Sequence, residues 1–251
     1  MKASFLHCEK PPITVLLSRE TPEAFISAAK AAFADGADAV CYQTCRLKAE
    51  YRNPETYKTL FDAADGRPIY VTNYRKHTNE NATDAEIAAH LLVLARAGAT
   101  LCDVMGDMFD RQEGEMTYDP AAIEKQKQLI ADLHAAGAEV LMSSHVLKFT
   151  PAEEVLKIAL AQQERGADIV KIVTGAENME QQIENLRITN LLKQTLRVPF
   201  LFLSGGMCNL HRRIGGQLGC CMYLSSQDYD AEKTPVQPFT KDLRAIVDHF
   251  A

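Results

Sequence analysis

One punctuation mark recurs along the chain. Gly36-Ala37-Asp38, Gly98-Ala99-Thr100, Gly137-Ala138-Glu139 and Gly166-Ala167-Asp168 each close a helical pattern and open a short apolar run. Glycine ends a helix at such a place because it reaches the left-handed conformation without a Cβ penalty. A short, continuous apolar run is what a strand buried on both faces looks like. The four motifs are therefore read as α-to-β junctions, and the same alternation continues between them. Strands are predicted at 13–17, 39–43, 69–73, 101–104, 139–144, 169–173, 199–203 and 220–224. Helices are predicted at 22–34, 54–64, 84–97, 120–136, 151–164, 180–195, 210–218 and 240–250. Thr21-Pro22, Asp119-Pro120 and Thr150-Pro151 read as helix starts, with a capping side chain and proline in the first turn. Strict β/α alternation argues for a parallel sheet. Eight units in 251 residues match a closed (β/α)8 TIM barrel, one α/β domain over 1–251. An open doubly wound sheet is the alternative. It favours a glycine-rich loop after the first strand, where this chain has Ser18-Arg19-Glu20-Thr21.

Composition narrows the function classes. With 47% hydrophobic residues the chain can build a sizeable core. No apolar run approaches the roughly 20 residues of a membrane span, and Met1 to Lys10 lacks an apolar signal region. A cytoplasmic protein without a membrane partner is expected. A net charge of −6, with no run of Lys and Arg, argues against nucleic acid. The seven cysteines are odd in number and read as reduced thiols. Cys41 and Cys45 have no second pair at zinc-site spacing, so no structural metal is expected. Cys220-Cys221 reads as core packing.

In a barrel of this kind, chemistry is placed at the C-terminal ends of the strands. The polar residues there are Gln43 and Arg46, Asn73 and Arg75, Asp103 and Asp107, Ser143-Ser144-His145, Lys171, Ser204 to Gly206, His211 to Arg213, and Lys233 and Gln237. Lys171 lies in Asp168-Ile169-Val170-Lys171-Ile172-Val173, apolar on both sides. Burial disfavours an ammonium, and a neutral amine attacks a carbonyl to give an imine. The competing reading is a salt-bridged lysine. His145 ends the preceding strand and so comes near Lys171. Histidine is the usual acid and base near neutral pH, although a histidine at a strand end also serves as a structural hydrogen bonder. Arg75 and Arg212 could clamp a carboxylate or phosphate. Gly205-Gly206 is either a phosphate loop or a plain turn. A metal held by Asp103, Asp107 and His145 is the competing chemistry, but no close ligand pair supports it.

With these residues in place, the chain resembles the type I 3-dehydroquinate dehydratases from about residue 13 to 250. Ser144-His145-Val146-Leu147-Lys148-Phe149-Thr150-Pro151 is similar to that family's catalytic-histidine segment. Gly166-Ala167-Asp168-Ile169-Val170-Lys171-Ile172 is similar to its Schiff-base lysine strand. Arg212 falls where the family has a Ser-Arg pair, with His211 in place of the serine. Thr234-Pro235-Val236-Gln237 resembles its Ala-Pro-Gly-Gln loop, and Thr72-Asn73-Tyr74-Arg75 its Thr-x-Arg strand end. There are departures. The strand-two Glu-x-Arg aligns with Cys41-Tyr42-Gln43. The glutamate that orients the histidine aligns with Asn79, next to Glu80. Asp-x-Glu on strand four reads Asp103-Val104-Met105, and a loop serine reads Lys233.

The resemblance implies a hydro-lyase of the shikimate pathway for aromatic amino acids. It would convert 3-dehydroquinate to 3-dehydroshikimate and water through an imine on Lys171, with His145 as base and then acid. It implies no cofactor or metal, and a small-molecule carboxylate substrate bound by Arg75, Arg212, Gln237 and Gln43. A monomer and a homodimer both remain open. The alternatives are another lysine-imine lyase, an aldolase or dehydratase of a different hydroxy-keto acid, and an inactive barrel that binds a ligand.

Overall fold

A computed structural model describes residues 3–206, 209–229 and 236–250. Lys233, Thr234, Pro235 and Cys208 lie outside these residues. In chain order the elements are β1 (Ile13–Leu17), α1 (Pro22–Ala34), β2 (Ala39–Gln43), α2 (Pro54–Asp62), β3 (Ile69–Thr72), α3 (Asp84–Ala97), β4 (Leu101–Met105), α4 (Pro120–Ala135), β5 (Glu139–His145), α5 (Ala152–Glu164), β6 (Ile169–Thr174), α6 (Met179–Thr195), β7 (Phe200–Ser204), α7 (Asn209–Leu218), β8 (Tyr223–Ser226) and α8 (Thr240–Asp248). Short 3-10 turns occupy Thr44–Arg46, Ala49–Tyr51 and His77–Asn79. All eight strands belong to one parallel sheet in the order β7-β6-β5-β4-β3-β2-β1-β8. The sheet curls so that its two ends meet. The Cys221 N–H, just before β8, donates to the Phe200 carbonyl on β7 at 2.8 Å. This is the (β/α)8 architecture expected from the alternation.

Local chemistry explains the elements. Thr21, Asn53 and Asp119 cap α1, α2 and α4 through their side chains, each followed by proline. Gly98 ends α3 at φ 116°, a conformation that suits glycine. Most predicted boundaries shift by one or two residues, and two element starts have a chemical reason. At α5 the cap is Pro151, not Thr150, whose hydroxyl instead donates to the Lys148 carbonyl at 3.0 Å. The last strand begins at Tyr223 rather than 220. Cys220 is buried in the core, so an apolar turn had the look of a strand.

The core has two layers. Val15, Leu17, Val40, Tyr42, Val71, Cys102, Val104, Val140 and Met142 pack outward against the helices. The residues between them in sequence point inward, since strand side chains alternate. Parallel register sets Cys41 beside Tyr70, Asp103 beside Leu141, and Ser143 beside Lys171, which neighbours Leu201. One inward layer thus carries a lysine, an aspartate and a tyrosine among apolar side chains.

Candidate active site

Lys171 projects from β6 into the barrel with 4% of its surface exposed. Its Nζ lies 3.2 Å from an Asp103 carboxylate oxygen on β4. It also lies 3.1 Å from the Tyr70 hydroxyl and 3.0 Å from the Tyr74 hydroxyl. Both phenols donate to the same Asp103 oxygen, Tyr74 at 2.6 Å. The other Asp103 oxygen accepts from Ser143 Oγ at 2.5 Å. The lysine therefore does not sit in an apolar socket. It is both the buried lysine and the salt-bridged lysine that the sequence left as competing readings. Burying two charges costs several kcal/mol per ion unless partners satisfy them, and here hydroxyls complete the pair. Burial works to raise the Asp103 carboxyl, but the Lys171 charge and the hydroxyl donors outweigh it and hold it below the usual range. Burial and the neighbouring carboxylate push both phenols well above the ordinary tyrosine value, so they keep their protons.

His145 ends β5. Register pairs it with Val173, two residues beyond Lys171, which places it roughly 7 Å further up the wall at 3.3 Å per residue. Its Nδ1 meets Glu115 Oε2 at 2.6 Å. The Tyr74 ring and the imidazole meet nearly perpendicular, with centroids 5.3 Å apart. Glu115 comes from the loop between β4 and α4, at a left-handed φ of 52°. Such strain in a non-glycine residue needs surrounding structure to hold it. Ser144 Oγ donates to the Glu115 carbonyl at 2.7 Å, and Gln112 and Gly106 fix the loop on either side. Gly106 is required here, because a Cβ would lie 2.7 Å from that same carbonyl. Burial pushes the Glu115 carboxyl up, but the hydrogen bond and charge of His145 bring it below its ordinary value.

A cavity of about 250 Å³ opens above these groups. Its walls include Lys171, His145, Tyr70 and Tyr74 together with Gln43, Thr72, Lys76, His77, Arg212 and Gln237, with apolar contributions from Leu16, Leu203 and Leu224. Arg212 donates to the Ser204 carbonyl at 2.7 Å and to Gln237 Oε1 at 2.9 Å. Gln237 is brought over the mouth because Ser226 at the end of β8 bonds to the Pro238 carbonyl. A larger groove, about 430 Å³, lies outside the barrel between Met116, Tyr118, Phe149 and Pro151, and neither Lys171 nor His145 lines it.

Of the six residues expected from the sequence, five line one cavity. Arg75 does not. Its guanidinium clasps Asp84 at two points of 2.7 Å and Asp107 at 2.8 Å, and donates to the Asp107 carbonyl. It ties β3 to the loop after β4. Arg46 sits on the outer rim near Glu20 and His77 and does not take the place of the missing strand-two arginine. Asn79 bonds to Asn73 and the Tyr74 carbonyl, and Glu80 is exposed, so neither orients His145. Glu115 holds that place. Arg52 fills the space behind β3, donating to Asn73, Asn79 and His90. His211 lies outside the cavity, its Nε2 bonded to Thr189 at 2.8 Å. Gly205-Gly206 is a turn packed on Thr174 and Ala176, which leaves no room for a side chain at Gly206. Asp103, Asp107 and His145 serve three separate networks, with Lys171, Arg75 and Glu115 respectively. Tyr70, Tyr74 and Glu115 were not foreseen. The four-residue spacing of Tyr70 and Tyr74 around the end of β3 was a visible signal, whereas nothing local marks Glu115.

Fold and site together define a (β/α)8 barrel with a buried lysine on its floor and a carboxylate-held histidine on its wall. Residues 13–250 match the model of the Type I 3-dehydroquinase family, and the chain belongs to that family. It is 30% identical over 148 residues to the 3-dehydroquinate dehydratase of Lactiplantibacillus plantarum, an aligned stretch that spans 57% of this chain and 57% of that relative. The type I 3-dehydroquinate dehydratase of Clostridium difficile superposes with a TM-score of 0.82 at 18% identity, covering 98% of this chain and 94% of the other. The 3-dehydroquinate dehydratase of Enterococcus faecalis gives 0.79 at 20% identity, covering 99% of this chain and 98% of the other. At those identities the likeness speaks for the fold. Among the described residues no helix is long and apolar enough to cross a membrane.

Proposed function

We propose that this chain dehydrates 3-dehydroquinate to 3-dehydroshikimate through an imine on Lys171. The observation that carries the reading is the meeting of Lys171 and His145, from adjacent strands, in one cavity of a Type I 3-dehydroquinase barrel. The C3 ketone condenses with Nζ and releases water. The iminium draws electrons from the neighbouring carbon, so its proton becomes removable, and His145 takes it as general base. His145, charged and steadied by Glu115, returns the proton to the departing C1 hydroxyl. Hydrolysis of the imine then frees the product and Lys171. Arg212 and Gln237, already joined, receive the carboxylate. Gln43 faces the hydroxyl end.

Borohydride trapping with 3-dehydroquinate, followed by intact mass and peptide mapping, tests this. An adduct on Lys171 is expected. Lys171→Ala should trap nothing, and His145→Ala should trap imine but stall turnover. Normal turnover by either variant overturns the reading. One observation favours a second reading, a lysine-imine lyase of a different hydroxy-keto acid. Cys41-Tyr42-Gln43 carries neither charge of the family's strand-two pair, the cations lining the cavity beside Lys171 are Lys76 and Arg212, and Arg75 is committed to Asp84 and Asp107. Trapping of another keto acid in preference to 3-dehydroquinate selects it.

A further inference from the structure

Two proton-carrying clusters face the cavity, and they are distinct. His145 is bonded to Glu115. Lys171 is bonded to Tyr70, Tyr74 and Asp103. The cavity reaches Lys171 and both tyrosines, whereas Asp103, 2% exposed, lies behind them. Resting on the imine reading above, we propose that Tyr70 and Tyr74, backed by Asp103, are catalytic residues that carry the protons of imine formation and hydrolysis, while His145–Glu115 serves the elimination step, taking the carbon proton and returning it to the C1 hydroxyl.

The protons balance as follows. The Lys171 ammonium passes a proton to the Asp103 carboxylate, giving an amine and a neutral acid. The nitrogen lone pair forms the C–N bond, and the carbonyl π pair moves to oxygen. That oxygen takes the Tyr74 phenolic proton while Tyr74 takes one from the attacking nitrogen, so a neutral carbinolamine results. The proton held on Asp103 then crosses a phenol to the carbinolamine hydroxyl. Water leaves with its C–O pair, the nitrogen lone pair makes C=N, and an iminium faces a restored carboxylate. Ketone plus ammonium has become iminium plus water. Both phenols touch both the nitrogen and the carboxylate, so each can shuttle without a rearrangement of the site. Burial keeps the phenols protonated, as a neutral shuttle requires.

The experiment compares wild type, Tyr70→Phe/Tyr74→Phe and His145→Ala by rapid-quench borohydride trapping. Substrates are 3-dehydroquinate and, in parallel, pyruvate. Deuterium exchange from D2O at the carbon next to the carbonyl is read on the trapped adduct. Thermal melts report folding, and Tyr74→Phe alone serves if the double variant does not fold. The double variant should trap roughly 100-fold more slowly, within the usual range for general acid–base catalysis, with exchange per imine unchanged. His145→Ala should trap within a few-fold of wild type and lose exchange. The proposal is overturned if the tyrosine variants trap at the wild-type rate, or if His145→Ala slows trapping as much as they do. If wild type traps pyruvate alone, the 3-dehydroquinate reading falls and the tyrosines are judged on pyruvate. If it traps neither, both fall.

Discussion

At the scale of single residues, the site depends on which side chain satisfies which charge. Lys171 was legible because a lysine inside an apolar strand must have a partner or a task. Its partner was not, because Asp103 lies 68 residues away and meets it only across the barrel. His145 was legible from its place beside Lys171, yet the position aligned with its supporting glutamate is Asn79, and the sequence left open whether Glu80 takes that place. Asn79 and Glu80 turn away, and Glu115 arrives from a different loop. Glu115→Gln should therefore lower kcat by about 10- to 100-fold while leaving the rate of imine trapping near wild type, because it removes the charge that steadies protonated His145. Single-turnover trapping alongside steady-state kinetics separates the two, and an unchanged kcat rules out a role for Glu115.

At the scale of elements, the loop between β4 and α4 decides the geometry. Its anchor is Arg165, just after α5 and 4% exposed. The guanidinium donates to the Gly106 carbonyl at 2.8 Å, to Gln126 Oε1 at 2.7 Å and to the Thr117 carbonyl, and so clamps both ends of the loop that presents Glu115. Arg165→Ala strands buried acceptors and should cost about 3 kcal/mol of stability, the expected scale for unmet buried polar groups. Because the loop also holds Glu115, kcat should fall with it. Denaturant unfolding measures the first effect and turnover the second. A variant with full stability would show that the clamp is dispensable. Helix and strand positions were readable here from capping residues and apolar runs, to within a few residues. The loop was not, since its shape comes from residues on other elements.

At the scale of the whole molecule, the barrel buries histidines as neutral groups. His90, between Tyr57 and Arg52, is lowered to about 4 by burial and then by the Arg52 charge. His211 is lowered to about 3 by burial and then by Arg212. Unfolded histidine takes up its proton near pH 6.5, so between that value and about 4 the unfolded chain binds more protons than the native one. Stability contributed by keeping both neutral is complete above pH 6.5 and is lost as pH falls through about 4 and about 3, on the order of 3 kcal/mol for His90 and about 5 kcal/mol for His211. Asp84 and Asp103, whose carboxyls are held below their ordinary values, withdraw stability in the same direction at still lower pH. Thermal melts from pH 7 to 4 should show Tm falling steadily, with a shallower slope in His211→Gln. A flat profile would contradict the buried neutral state. The sequence by itself determined the alternation, the barrel and the lysine–histidine pair, because helix ends, buried strands and neighbouring strands are set by local pattern and by chain order. Only the tertiary structure decided that Asp103 and two tyrosines surround Lys171, that Glu115 holds His145, and that Arg75 turns from the cavity to Asp84 and Asp107. Those contacts join residues from separate strands and loops across a closed barrel, and no local periodicity encodes which side chains meet there.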